Sequence, residues 1–112
     1  MLTEYTPDAW VILKINNKEN GETLYKVFAQ WYGGFAGSDS WKINSGITSV
    51  QLDGNHYCFS GYSGSVYRCH KNTYRTTGYG HSVIQQFIRE AEGTEYEFHI
   101  MEDCDWLSIK YE

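Results

Sequence analysis

Two groups of side chains in this sequence have the types and spacing that binding chemistry uses. Trp31, Tyr32, Phe35 and Trp41 fall within eleven residues, interleaved with Ser38, Asp39 and the glycines Gly33, Gly34 and Gly37. Exposed Trp and Tyr rings offer large, rigid contact area with a polar handle, which suits a protein partner or a planar ligand. Strand alternation puts Trp31 and Tyr32 on opposite faces, so both cannot enter one core and at least one is expected near the surface. The alternative is that these rings cap the open end of a small sheet. The second group is Tyr62, Arg68, Tyr74, Arg75 and Tyr79, which holds two of the three arginines. Arg beside Tyr suits stacking and phosphate contacts, so this group would take a nucleotide-like small molecule. Its alternative is a solvated hairpin end with ordinary tyrosine packing.

The cysteines and histidines raise two further chemistries. If Ser60 pairs with Ser65 in a hairpin, Cys58 faces Tyr67 and His56 faces Cys69, and His56, Cys58 and Cys69 share one face. Cys104 or His99 would then supply a fourth zinc ligand. The sequence lacks the Cys-x₂-Cys and His-x₃-His spacings of structural zinc, so no metal is expected and the thiols read as buried and free. The same register would set Cys69 and His56 together as nucleophile and base, a Cys-dependent enzyme. No oxyanion-hole signature accompanies them, so no catalytic residue is assigned. The Gly33-Gly34-Phe35-Ala36-Gly37 segment follows a strand as phosphate loops do, but it has no Gly-Lys-Ser/Thr ending and opens no helix. A wide connection between strands is the simpler reading, and no cofactor is expected.

The elements that must position these residues read mostly with period two. Ala9 to Ile15 is a strand apolar on both faces near its start. Thr23 to Tyr32 is its partner across Asn20-Gly21, with Tyr25, Val27, Ala29 and Trp31 on one face and Lys26, Phe28, Gln30 and Tyr32 on the other. Thr48 to Leu52 is a short strand ended by Asp53-Gly54. Asn55 to Ser60 and Ser65 to His70 form a hairpin around Gly61-Tyr62-Ser63-Gly64. Ser82 with Gln85 fits a capping box, and Val83, Ile84, Phe87, Ile88 and Ala91 then repeat at helical spacing. Gly93 suits the C-terminal cap of this helix, expected over about 82–92. Glu95 to Ile100 alternates strictly, and Asp105 to Tyr111 is expected as a last strand. The fold class expected is α+β: a mainly antiparallel sheet of about six to seven strands with one helix packed on it, as a single domain over residues 1–112.

Composition bounds the function. The chain has 112 residues and a net charge of −5, with 10 Tyr, 5 Phe and 4 Trp. That charge argues against direct nucleic-acid binding, which shows a basic stripe. It is unevenly spread: 8 acids fall in residues 90–112 against Lys110 alone. These acids read as a solvated, aggregation-resistant edge, or as a mimic of nucleic acid for a basic partner groove. No run approaches a membrane-spanning helix and no secretory signal is visible, so a cytoplasmic protein with reduced thiols and no membrane contact is expected. The aromatic surplus suits a homodimer as well.

The run Gln30-Trp31-Tyr32-Gly33-Gly34-Phe35-Ala36-Gly37-Ser38-Asp39-Ser40-Trp41-Lys42-Ile43-Asn44-Ser45-Gly46-Ile47 resembles small proteins encoded by tailed bacteriophages. That group shares a Trp-Tyr-Gly-Gly segment followed by Ser-Trp-Lys and Ser-Gly-Ile. Tyr67-Arg68-Cys69-His70 and Ser82-Val83 carry the resemblance further, over residues 9 to 92. It implies a host bacterial cytoplasm, no particular activity and no site residues. The expectation is a small phage accessory protein, a non-enzymatic binding module acting on a host protein or complex in host takeover or against host defence. The alternatives are a nucleotide sponge and a Cys-dependent enzyme.

Overall fold

Alternation dictates where each strand can sit. In the computed structural model, which describes residues 3–33 and 37–111, eight strands form two four-stranded sheets. The first contains β2 (Ala9–Asn17), β3 (Thr23–Trp31), β4 (Ser40–Ile43) and β8 (Tyr96–Ile100), in the order β4-β3-β2-β8. The second contains β1 (Glu4–Tyr5), β5 (Ile47–Asp53), β6 (His56–Gly61) and β7 (Val66–His70), in the order β1-β7-β6-β5. Within the sheets the pairing is antiparallel except that β1 runs parallel to β7. Among the described residues one α-helix, α1 (Gly78–Ala91), completes the α+β architecture.

The strands divide into two sheets because β2 and β3 carry apolar residues on both faces. Trp10, Ile12, Val27 and Ala29 turn toward β5, β6 and β7, where they meet Ile47, Phe59, Tyr67 and Cys69. Val11, Leu13 and Phe28 turn the other way and pack with Ile84 of α1. A strand covered twice reads as a continuous apolar run, as Ala9 to Leu13 does. Trp10 anchors the space between the sheets: its ring meets Tyr74 edge-on at 4.8 Å, with Phe59 at 5.5 Å and Trp106 at 6.0 Å. Its indole N–H donates to the His70 carbonyl at 2.7 Å. Such aromatic contacts each add about 0.5–1.5 kcal/mol beyond area burial.

Three expectations are corrected. The helix begins at Gly78, not at Ser82. Thr77 is the cap, its hydroxyl accepting from Gly80 N–H at 2.9 Å, while the Ser82 hydroxyl donates to the Gly78 carbonyl inside the helix. Asp105 to Tyr111 is not a strand. Asp105 accepts from Leu107 N–H and starts a 3-10 turn over Trp106–Ser108, so Trp106 and Tyr111, which alternation would separate, are both buried in one core. The Asp side chain offers the backbone a turn in place of a ladder.

The third correction is the register of β6 and β7. Ser60 pairs with Val66, not with Ser65, so Cys58 faces Arg68 and His56 faces His70. Gly64 sits at φ 90°, in the left-handed region, and Gly61 N–H donates to the Ser65 carbonyl. The connection is therefore the three residues Tyr62-Ser63-Gly64, closed by a glycine that accepts positive φ.

Candidate functional site

Gln30 organises one end of the molecule. It is fully buried on the helix side of β3, next to Phe28 along the strand and opposite Ala9 and Trp41 on the neighbouring strands. Its amide Nε2 donates to the Arg75 carbonyl at 2.9 Å, and its Oε1 accepts from Thr77 N–H at 2.7 Å. A Cβ on Gly80 would stand 2.1 Å from that Oε1, so only glycine admits the close approach of α1. These bonds hold residues 75–80 against the end of β3. Arg75 is thereby set beside Tyr32, and its Nε donates to the Tyr32 hydroxyl at 3.4 Å. Tyr32 is itself fixed, its N–H donating to Asp8 Oδ2 at 2.9 Å. The Tyr32 ring is 49% exposed and that of Tyr79, on the first turn of α1, 48%.

The remaining residues expected at the site have separate places. Trp31 is half-buried, edge-on to Tyr5, and donates from its indole to the Thr6 carbonyl. Trp41 stacks on Phe28 at 5.4 Å and meets Phe87 edge-on, so it packs under α1. Tyr74 is a clip between segments: its hydroxyl donates to the Met101 carbonyl and accepts from Ile12 N–H, and burial raises its pKa. Asp39 accepts from Gly33 N–H at 3.0 Å, Ser38 is exposed, and Phe35 lies outside the described residues.

Tyr62 lies at the other end of β3. Its ring rests over Gly46 beside Leu24. Leu24 and Trp31 are seven residues apart on one strand, roughly 23 Å at the usual rise. There Tyr62 joins Tyr25, Tyr96 and Tyr111 around a cleft of about 570 Å³. Arg68 is elsewhere again, on the outer face of the second sheet, paired with Asp53. Tyr62, Arg68 and Arg75 therefore do not converge on one ligand, and the constellation expected for a nucleotide is dispersed.

That outer face is a polar surface of Asp53, His56, Cys58, Arg68 and His70. The Arg68 guanidinium holds the Asp53 carboxyl below its ordinary range, first by hydrogen bonding and then by charge. His56 and His70 rings meet edge-on at 4.9 Å, and desolvation, then Arg68 and His70, lower the His56 pKa. Cys69 points the opposite way, into the core, where burial pushes its thiol well up. A one-residue shift in register moves every side chain to the other face. The proposed Cys69–His56 pair and the His56–Cys58–Cys69 set are thus not assembled, and no metal-holding group of three such residues occurs among the described residues.

Sequence reasoning missed Gln30, Asp8 and Thr77. A Gln alternating with Phe28 on an apolar face is the one signal that was readable, since a buried amide must find partners. Among the described residues no helix is long and apolar enough to cross a membrane. Comparison with protein-family models, with curated proteins and with solved structures found no match to this chain.

Proposed function

We propose that the chain is a non-enzymatic binding module that engages a host protein or complex through Tyr32, Arg75 and Tyr79. The observation that carries this is the Arg75–Tyr32 hydrogen bond, which fixes a cation against a ring left about half exposed. Tyr and Arg dominate the residues whose truncation costs most at protein interfaces. The buried Gln30 bonds fix the backbone beneath them, so little conformational freedom is lost on binding. Asp39, which accepts from Gly33 N–H next to Tyr32, and the exposed Ser38 give the surface a polar rim. The likeness to small phage proteins supplies the setting, an accessory protein acting on host machinery as an inhibitor.

The test is quantitative capture from bacterial lysate by the immobilised chain and by the Tyr32→Ala/Arg75→Ala variant. A defined host protein should be retained by the native chain and depleted at least about tenfold by the variant, as for a truncated anchor pair. Circular dichroism should show the variant folded. Equal retention of the same proteins by both chains would overturn the proposal.

A further inference from the structure

The free edge of β8 is a second surface, distant in the fold from Gln30 and independent of the reading above. Among the described residues, strand β8 pairs with β2 alone and ends its sheet. Lys18 N–H donates to the Glu95 carbonyl at 2.7 Å, and Met101 N–H to the Ile12 carbonyl at 3.0 Å. In an antiparallel ladder this alternation commits positions 95, 97, 99 and 101 to β2. The backbone groups of Tyr96, Phe98 and Ile100 therefore point outward. Thr94 Oγ1 accepts from Tyr96 N–H, while among the described residues nothing accepts from Phe98 or Ile100 N–H.

The side chains of the same three residues line a groove. Ile88 and Ala91 of α1 form its far wall beside Phe98 and Ile100, and the space holds about 660 Å³. Its rim is acidic. Glu92 and Glu97 border it against Lys18, and His99 on the same strand meets the Glu97 carboxylate at 3.1 Å. The C-terminal end of α1 stops at Ala91, whose carbonyl is capped by Thr94, and a helix C-terminus carries partial negative charge. An acidic edge repels a second copy of itself, which is how natural sheets keep edges from pairing.

We propose that β8 accepts an extended segment of a partner protein in which basic and apolar residues alternate. The added strand would bond to Phe98 and Ile100 N–H, and its apolar residues would lie in the groove against Ile88 and Ala91. Its basic residues would fall on the face that carries Glu97. Backbone bonds supply affinity in such strand addition, and alternate side chains supply specificity.

The probes are three synthetic peptides of equal length, alternating Lys with Val, Glu with Val and Lys with Ser, titrated into the full isotope-labelled chain. The Lys–Val peptide should slow hydrogen exchange at Phe98 and Ile100 and bind at least about tenfold tighter than the other two, weakening with salt. Glu92→Lys/Glu97→Lys changes exposed positions only and should reverse the preference between Lys–Val and Glu–Val. Three outcomes overturn the proposal: equal binding of Lys–Ser, which would leave the groove unused; perturbation confined to residues outside β8 and the end of α1; or no binding of Lys–Val. Concentration-dependent protection of Phe98 and Ile100 without peptide would assign the edge to a second copy and overturn it as well.

Discussion

The two sheets meet water on unequal terms. The outward face of β2-β3-β8 is apolar, with Val11, Leu13, Phe28 and Phe98, and it recruits α1 as a cover. The outward face of β5-β6-β7 carries Asp53, Cys58, Arg68 and His70, and no helix or strand of the described residues packs over it. Both sheets share the same aromatic interior, so the interior does not decide the difference. The alternate residues do: an apolar second face must be covered, whereas a polar one needs nothing. Strand β7 shows the rule within five residues, with Tyr67 and Cys69 buried and Arg68 and His70 turned outward.

Truncation on the covered face should have the largest effect. Phe28→Ala removes a fully buried ring that touches Trp41 and Phe87, and about 3–5 kcal/mol of stability should be lost in urea unfolding. A loss below about 1 kcal/mol would mean that α1 is not held by this face. Gly80→Ala should cost about 1–3 kcal/mol, because the new methyl must displace Gln30. The same variant should loosen Arg75 and Tyr79, read as faster hydrogen exchange over residues 75–80.

Alkaline pH probes the inner side of β7. Burial, then Tyr5 and Cys69, push the Tyr67 phenol up to about 12. A phenol with a higher pKa in the fold than in the unfolded chain adds stability that is complete below its ordinary pKa of 10.0 and is lost as pH rises toward 12. The urea midpoint should therefore be level up to about pH 10 and fall beyond it, less steeply in Tyr67→Phe. The smallest effect belongs to the bare face. Cys58→Ser should change stability by no more than about 0.5 kcal/mol, and a larger loss would show that this face is packed rather than open.

The alternation of β2, β3, β5 to β8 was legible because each strand is a run of period two between turn residues. The apolar face of α1 was legible for the same reason at helical spacing. What escaped was decided by partners remote in sequence. Gly78 and Gly80 hid the first turn of the helix: Gly80 is explained by Gln30 and by nothing local, while a Cβ at Gly78 would meet open space. The register of β6 and β7 depended on one glycine's backbone sign, and that single residue moved Cys69 from a reactive face into the core. Of the residues proposed for binding, Tyr32 was readable as exposed because its face was already assigned. Its union with Arg75 was not, because a buried amide more than forty residues away in sequence creates it.

The place of β8 also sets an order of events in folding. It lies against β2, so the first long strand of the chain is completed by the last. During synthesis the β2-β3 hairpin can form early, but one edge of it stays open until Tyr96–Ile100 has left the ribosome. Such distant pairings close slowly and leave aggregation-prone edges exposed meanwhile. The acids that follow Arg89 emerge at that stage, so they would keep nascent chains apart while the sheet waits for its final strand.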